Sequence, residues 1–292
     1  MSELADFLAR AESIMARVEA LLPAPPVQPD WSAAVAFRWV CAPRGNASGR
    51  LLAVAKPHRI RLNELCGIDE QAQRIEQNTR QFLAGRSANN VLLTGARGTG
   101  KSSLVKAMLE RFADQGLRLI EVDKDDLVDL PEIVDLIAAR PEYFIIFCDD
   151  LSFEAGEPGY KALKSVLDGS IAGVPDKLLI YATSNRRHLM PEYMDENLDT
   201  RHVDGEVHPG ETVEEKISLS ERFGLWLSFY PFDQDHYLAI CRLWLRELGV
   251  ASWDDGLRQE ALQWALLRGS RSGRVTWQFA RDHAGRVEAG AA

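Results

Sequence analysis

The sequence contains no apolar run as long as a membrane span, so a soluble chain is expected. Its four cysteines, Cys41, Cys66, Cys148 and Cys241, stand apart, without metal-ligand spacing. That isolation excludes a thiolate metal centre and a disulfide framework, and fits a reducing cytoplasm. No internal repeat or low-complexity tract occurs. Positive charge is in deficit: 34 basic residues against 43 acidic ones give a net charge of −9. Such a balance argues against a protein that coats nucleic acid by charge alone. Acidic residues are in turn missing from Trp31 to Asn63, where Arg38, Arg44, Arg50, Lys56, Arg59 and Arg61 occur. This basic segment reads first as a solvated surface packed against an acidic neighbour. A docking surface for nucleic acid or an acidic partner is the alternative.

What is present is a globular composition, 46% apolar and 26% charged over 292 residues. That suffices for two compact units and an N-terminal extension. Met1 to Leu22 is interrupted by Glu3, Asp6, Arg10, Glu12, Arg17 and Glu19, the pattern of an amphipathic helix rather than a signal peptide. Pro23-Ala24-Pro25-Pro26 ends it.

The most informative stretch runs from Asn90 to Val105: a short apolar strand, a glycine-rich turn and the start of a helix. Within it, Gly95 to Ser102 fits G-x-x-x-x-G-K-[ST], the phosphate-binding P-loop. The glycines allow successive backbone N–H groups to point into one cavity, and the helix N-terminus adds positive potential. The candidate cradle is Gly95, Ala96, Arg97, Gly98, Thr99, Gly100, Lys101, Ser102 and Ser103. Lys101 would reach the terminal phosphates, and the Ser102 hydroxyl would bind Mg2+.

Around this motif strands and helices alternate. Strands are expected over Val91–Thr94, Leu117–Val122, Glu142–Cys148, Lys177–Ala182 and Leu225–Phe229. Helices are expected over Asp69–Leu83, from the P-loop to about Gln115, over Leu130–Ala139 and over Gly159–Leu167. Asp69 is the expected N-cap of the first of these. The alternation predicts a parallel sheet covered on both faces, with its site at the carboxyl ends of the strands. Trp31–Val40 and Leu51–Ala55 read as part of a small accessory element.

That placement draws attention to Tyr143–Asp150, an apolar strand ending in two carboxylates. Asp149 would hold Mg2+, and Asp150 would position or deprotonate an attacking water. Glu154 is a second, lesser base candidate.

With these motifs the chain resembles the AAA+ ATPases from about Leu62 to its C-terminus. The resemblance implies ATP and Mg2+ as cofactors. Asn185, closing Leu178–Asn185, looks like the sensor 1 residue. Arg222, in Ile217–Gly224, matches the context of an arginine finger, with Arg186, Arg187 and Arg201 competing. A finger serves the neighbouring subunit, so a homo-oligomer is implied.

Beyond Tyr230-Pro231-Phe232, three helices look like the family's lid: Gln234–Leu248, about Asp254–Leu267 and Gly273 to about Val287. Arg274 resembles sensor 2, with Arg271 as the alternative. The fold implied is a P-loop three-layer αβα core with a parallel five-stranded sheet, a helical lid and a small N-terminal extension. Its divisions fall at 1–60, 61–231 and 232–292.

Two features depart from the family pattern. Many members end this acidic strand Asp-Glu, whereas Asp150 is shorter by a methylene. Asp195 to Glu215 is polar and expected as an extended surface loop, with metal binding by His202 and His208 a remote reading. The layout and Cys148–Phe153 further resemble stand-alone bacterial AAA+ proteins classed as a domain of unknown function. The activity implied is ATP hydrolysis that moves lid and subunits against a macromolecular partner, protein rather than nucleic acid. The alternative is a nucleotide-gated binding module with little hydrolysis.

Overall fold

A computed structural model describes residues 29–31, 34–41, 49–153, 157–169, 175–185, 201–203, 206–208 and 219–290, with isolated positions between 7 and 17. Its centre is a seven-stranded sheet in the order β2-β1-β4-β5-β6-β3-β9. The strands are β1 (Ala36–Val40), β2 (Arg50–Ala53), β3 (Val91–Gly95), β4 (Leu117–Glu121), β5 (Tyr143–Cys148), β6 (Leu178–Ser184) and β9 (Leu225–Phe229). All pairings are parallel except β1 with β2.

The five expected strands are present as β3, β4, β5, β6 and β9, but the sheet has seven strands rather than five. The two additional strands come from the accessory segment: Ala36, Phe37 and Arg38 pair with Leu119, Ile120 and Glu121. Arg38 is anchored there by Glu121, which accepts from its guanidinium at 3.0 Å. The acid-free segment thus meets an acidic neighbour at this point.

Strand β5 shows why the centre holds. Its residues alternate between two apolar layers, with Phe144, Ile146 and Cys148 in one and Ile145 and Phe147 in the other. A strand buried on both faces has to be apolar at every position. Each such large side chain contributes about 1.5–3 kcal/mol on burial.

One layer is completed by α1 (Asp69–Leu83) and α2 (Lys101–Phe112), which bury Ile75 and Phe82, and Leu104, Met108 and Phe112. The three-to-four residue spacing gives each helix one apolar face. The other layer receives α3 (Leu130–Ile137) and α4 (Pro158–Asp168), through Leu130, Ile133, Tyr160 and Leu163. Asp69 is the first residue of α1 rather than its N-cap, which is Ile68. There its carboxylate still lies in the first turn, near the positive helix end.

A half-buried polar residue, Asn90, stands where β3 begins. Asn90 accepts the Ile180 amide at 2.8 Å through its side chain, while its backbone carbonyl accepts from Leu225 at 3.1 Å. Asn90 thereby ties β3 to both neighbours at the end opposite the P-loop.

Three helices follow β9: α5 (Gln234–Glu247), α6 (Asp255–Arg268) and α7 (Gly273–Gly290). Asp233 caps α5 by accepting from the His236 amide, and Asp254 caps α6 by accepting from Leu257, each at 2.8 Å. They share their own apolar cluster, centred on the buried Tyr237, Cys241, Ala261 and Phe279.

The polar stretch expected as a loop contains an antiparallel ladder, β7 (Arg201–Val203) with β8 (Glu206–His208). The side chains of Arg201, His202 and His208 lie outside the described residues, as do Glu154, Arg186 and Arg187. Among the described residues no helix is long and apolar enough to cross a membrane.

Candidate nucleotide site

The carboxyl ends of β3, β5 and β6 converge on a cavity of about 580 Å³. β3 runs directly into the glycine-rich loop. At Gly95, with φ of 129°, an added Cβ would lie 1.9 Å from the Phe229 carbonyl oxygen of β9. At Gly98, with φ of 74°, it would meet the Ser272 hydroxyl at 2.9 Å. These two glycines therefore serve close packing as well as left-handed backbone. Thr99 closes the loop on itself, its hydroxyl donating to the Ala96 carbonyl at 2.8 Å.

Lys101 opens α2 and is buried, with 6% of its surface exposed. Its ammonium donates to the carbonyls of Gly95 and Ala96 at 2.8 Å and to Asn185 Oδ1 at 3.1 Å. Burial lowers its pKa below 10.5, against the opposing pull of Asp149 and Asp150. These three acceptors take up the three N–H donors of the ammonium and hold its positive charge at the cavity.

Beside it, Asp149 Oδ1 accepts from the hydroxyls of Ser102 and Thr183, each at 2.6 Å. Asp150 is the one described non-glycine residue with positive φ, at 53°. Its amide donates to Thr183 Oγ1 at 2.9 Å, its carboxylate accepts from Asn185 Nδ2, and Arg97 stands 3.8 Å away. Lys101, Asn185, Asp150 and Arg97 thus form one continuous polar chain across the cavity floor.

Arg97 to Ser103, Asp149, Asp150, Asn185 and Arg274 all line this cavity. Gly95 and Ala96 join them through the carbonyls that hold Lys101. Arg271 instead lines a neighbouring cavity of about 560 Å³, one loop-turn away on the side of α6. Arg222 lies outside the nucleotide cavity, paired with Asp168 at the end of α4.

Sequence reasoning missed Thr183, whose position two residues before Asn185 was the available signal. It also missed the apolar rim of Cys66, Ile68, Phe232, Ile240 and Trp244. Burial, with Asp69 nearby, raises the Cys66 thiol pKa, so this residue is present as a neutral, weakly polar wall.

The residues present fit Mg2+, a hard cation that prefers oxygen ligands. The Ser102 hydroxyl and Asp149 carboxylate are adjacent oxygen donors facing the loop. The loop's turned backbone and buried ammonium fit a chain of phosphates.

A family model matches residues 32–287, described as a protein of unknown function (DUF815). The chain belongs to this family. Among solved structures, the DUF815 chain is similar to a mutant of RuvB from Thermotoga maritima, with 16% identity and a TM-score of 0.50. That match covers 79% of this chain and 68% of the other. It is also similar to ORC1 of Aeropyrum pernix, solved in complex with DNA, with 16% identity and a TM-score of 0.52. Here 76% of this chain and 60% of the other are covered. Both likenesses concern the fold alone. No curated protein matches this DUF815 member.

Proposed function

We propose that this protein binds ATP with Mg2+ and hydrolyses it, using the cycle to move its helical lid and neighbouring subunits against a macromolecular partner. The observation that carries this reading is the meeting of Lys101, Ser102, Asp149, Asp150 and Asn185 in one cavity, from three separate strand ends. An isolated P-loop would need only the first two.

In this reading the loop amides and Lys101 hold the phosphates, and Arg274 approaches them from the lid. Ser102 and Asp149 would hold Mg2+, which when bound would neutralise phosphate charge. Asp150 takes a proton from, or orients, the attacking water, and Asn185 fixes the carboxylate that does so. An Asn amide suits this role because it donates to Asp150 while accepting from Lys101.

The moving parts in this proposal are residues 232–292 against 61–231. Support comes from the separate apolar cluster of α5, α6 and α7. Arg222 is proposed as a finger acting on the next subunit of a homo-oligomer. The acidic net charge favours a protein partner over nucleic acid.

A second reading, a nucleotide-gated binding module with little hydrolysis, is favoured by Asp150 specifically. Its short carboxylate is already engaged by Asn185 and faces Arg97. Two measurements decide between the readings. Lys101→Ala should abolish ATP binding, and unchanged binding would sink both. Turnover per protomer should rise with protein concentration for the oligomeric ATPase. Bound ATP without turnover at any concentration would favour the gated module.

A further inference from the structure

We propose that Thr183 is the positioning residue that sets both acidic side chains of the site, and with them the affinity for Mg2+; the proposal rests on the ATP–magnesium reading above. Thr183 is the penultimate residue of β6, opposite Leu93, and only 1% of its surface is exposed.

Three successive residues leaving β5 are tied to it. Its hydroxyl donates to Asp149 Oδ1 at 2.6 Å and accepts from the Asp150 amide at 2.9 Å. Its backbone carbonyl accepts from the Leu151 amide at 2.7 Å. A threonine hydroxyl has one proton to donate and lone pairs to accept, so both bonds are compatible at once.

The geometry explains why a side chain is needed here. After Cys148, paired with Ala182, the chain leaves the ladder and Asp150 turns into the left-handed region at φ of 53°. A regular ladder would offer the Asp150 amide a backbone acceptor, but the turn moves it away. Thr183 Oγ1 supplies the acceptor and so favours the turn that brings the Asp150 carboxylate back to Asn185.

The same hydroxyl orients Asp149. Together with Ser102 it directs two donors onto Oδ1, and among the described residues Oδ2 has no hydrogen-bond partner. Oδ2 is thereby left to a cation or its water shell. Groups that orient metal-holding carboxylates in this way commonly set affinity without touching the metal.

The test compares the full chain with Thr183→Val, which keeps the shape but loses both bonds, and Thr183→Ser, which keeps the hydroxyl. ATP binding is measured first in chelator, then during Mg2+ titration, with Mn2+ binding followed by electron paramagnetic resonance as a readout independent of turnover. For Thr183→Val, ATP affinity in chelator should stay within about twofold, whereas half-saturating Mg2+ and Mn2+ should each rise at least ~10-fold. Thr183→Ser should return both to within about threefold of the parent.

A valine variant with the parent's metal dependence would overturn the proposal, as would a serine variant indistinguishable from valine. If valine does not fold, Thr183→Cys takes its place, because a thiol donates and accepts only weakly. If the parent chain itself binds no ATP, or binds it without responding to Mg2+, the underlying reading falls and this proposal with it.

Discussion

Gly273 donates its amide hydrogen to the carbonyl oxygen of Gly98 at 2.8 Å, so the first residue of α7 is hydrogen-bonded to the phosphate loop itself. Arg274 is the next residue along, which sets its side chain at the cavity rather than leaving the choice to a mobile arm. In the proposed cycle, this bond between the loop that would hold phosphate and the helix that would respond to it would make lid position depend on loop conformation.

Gly98→Ala tests this contact directly. The new Cβ would crowd the Ser272 hydroxyl at 2.9 Å and sit in left-handed backbone. ATP affinity should fall at least ~10-fold, equivalent to about 1.4 kcal/mol. Calorimetric titration of ATP into the variant checks it, and parent-like affinity would remove the lid contact from the binding argument.

Lys101 predicts a pH dependence. Burial holds its folded pKa below 10.5, so the unfolded chain binds this proton more tightly. Between the lowered value and 10.5, stability without ligand should therefore rise with pH as this proton is lost. Phosphate at Lys101 favours the ammonium, so ATP binding should take up protons in that window and weaken as pH rises. Titrations at alkaline pH in buffers of different ionisation enthalpy measure the uptake; a proton count of zero would contradict it.

Asp150→Asn should lower ATP turnover by about 10²–10⁴-fold while leaving ATP binding intact. Asn is tolerated at positive φ much as Asp is, so the melting temperature should change little. Asp150→Glu should not recover a faster enzyme, because glutamate is less at ease in that backbone region. A Glu variant faster than the parent would refute this explanation of the shorter acid.

Arg222 can be separated from a structural role by mixing. Arg222→Ala should cut turnover by about 10³-fold or more if the guanidinium stabilises transferred charge in a neighbour. Mixing Arg222→Ala with Lys101→Ala subunits should then restore part of the activity, each supplying what the other lacks. No restoration would place Arg222 in service of its own chain, through Asp168.

Tyr181→Phe addresses the fold. The Tyr181 hydroxyl is fully buried, shares a hydrogen at 2.8 Å with Thr79 and accepts from Asn78 at 3.2 Å. Its removal leaves both α1 groups short of a partner and should cost about 1–3 kcal/mol, read from denaturant unfolding.

The central strands were legible because β5 and β6 are apolar at nearly every position, a pattern that arises only when both faces are covered. The P-loop was legible because its spacing reflects phosphate geometry. Strands β1 and β2 were not assigned to the sheet, since the pairing of Phe37 with Ile120 joins residues more than eighty positions apart. Local periodicity carries no trace of such a partner. The role of Thr183 was hidden for the same reason: one hydroxyl in a buried strand looks like any β-branched residue until β5 is laid beside it. Arg271 and Arg274 could not be told apart by spacing, because their separation depends on where α7 begins; Gly273 starts that helix and Arg274 lines the cavity.

The attachment of β1 to β4 has a practical outcome for anyone shortening the protein. A fragment starting at residue 61 would uncover the outer side of β4, whose Leu117, Leu119 and Ile120 are now buried. An unprotected apolar edge strand recruits other strands. Such a fragment should aggregate or pair edge to edge, and its apparent assembly state would then report the cut rather than the biology.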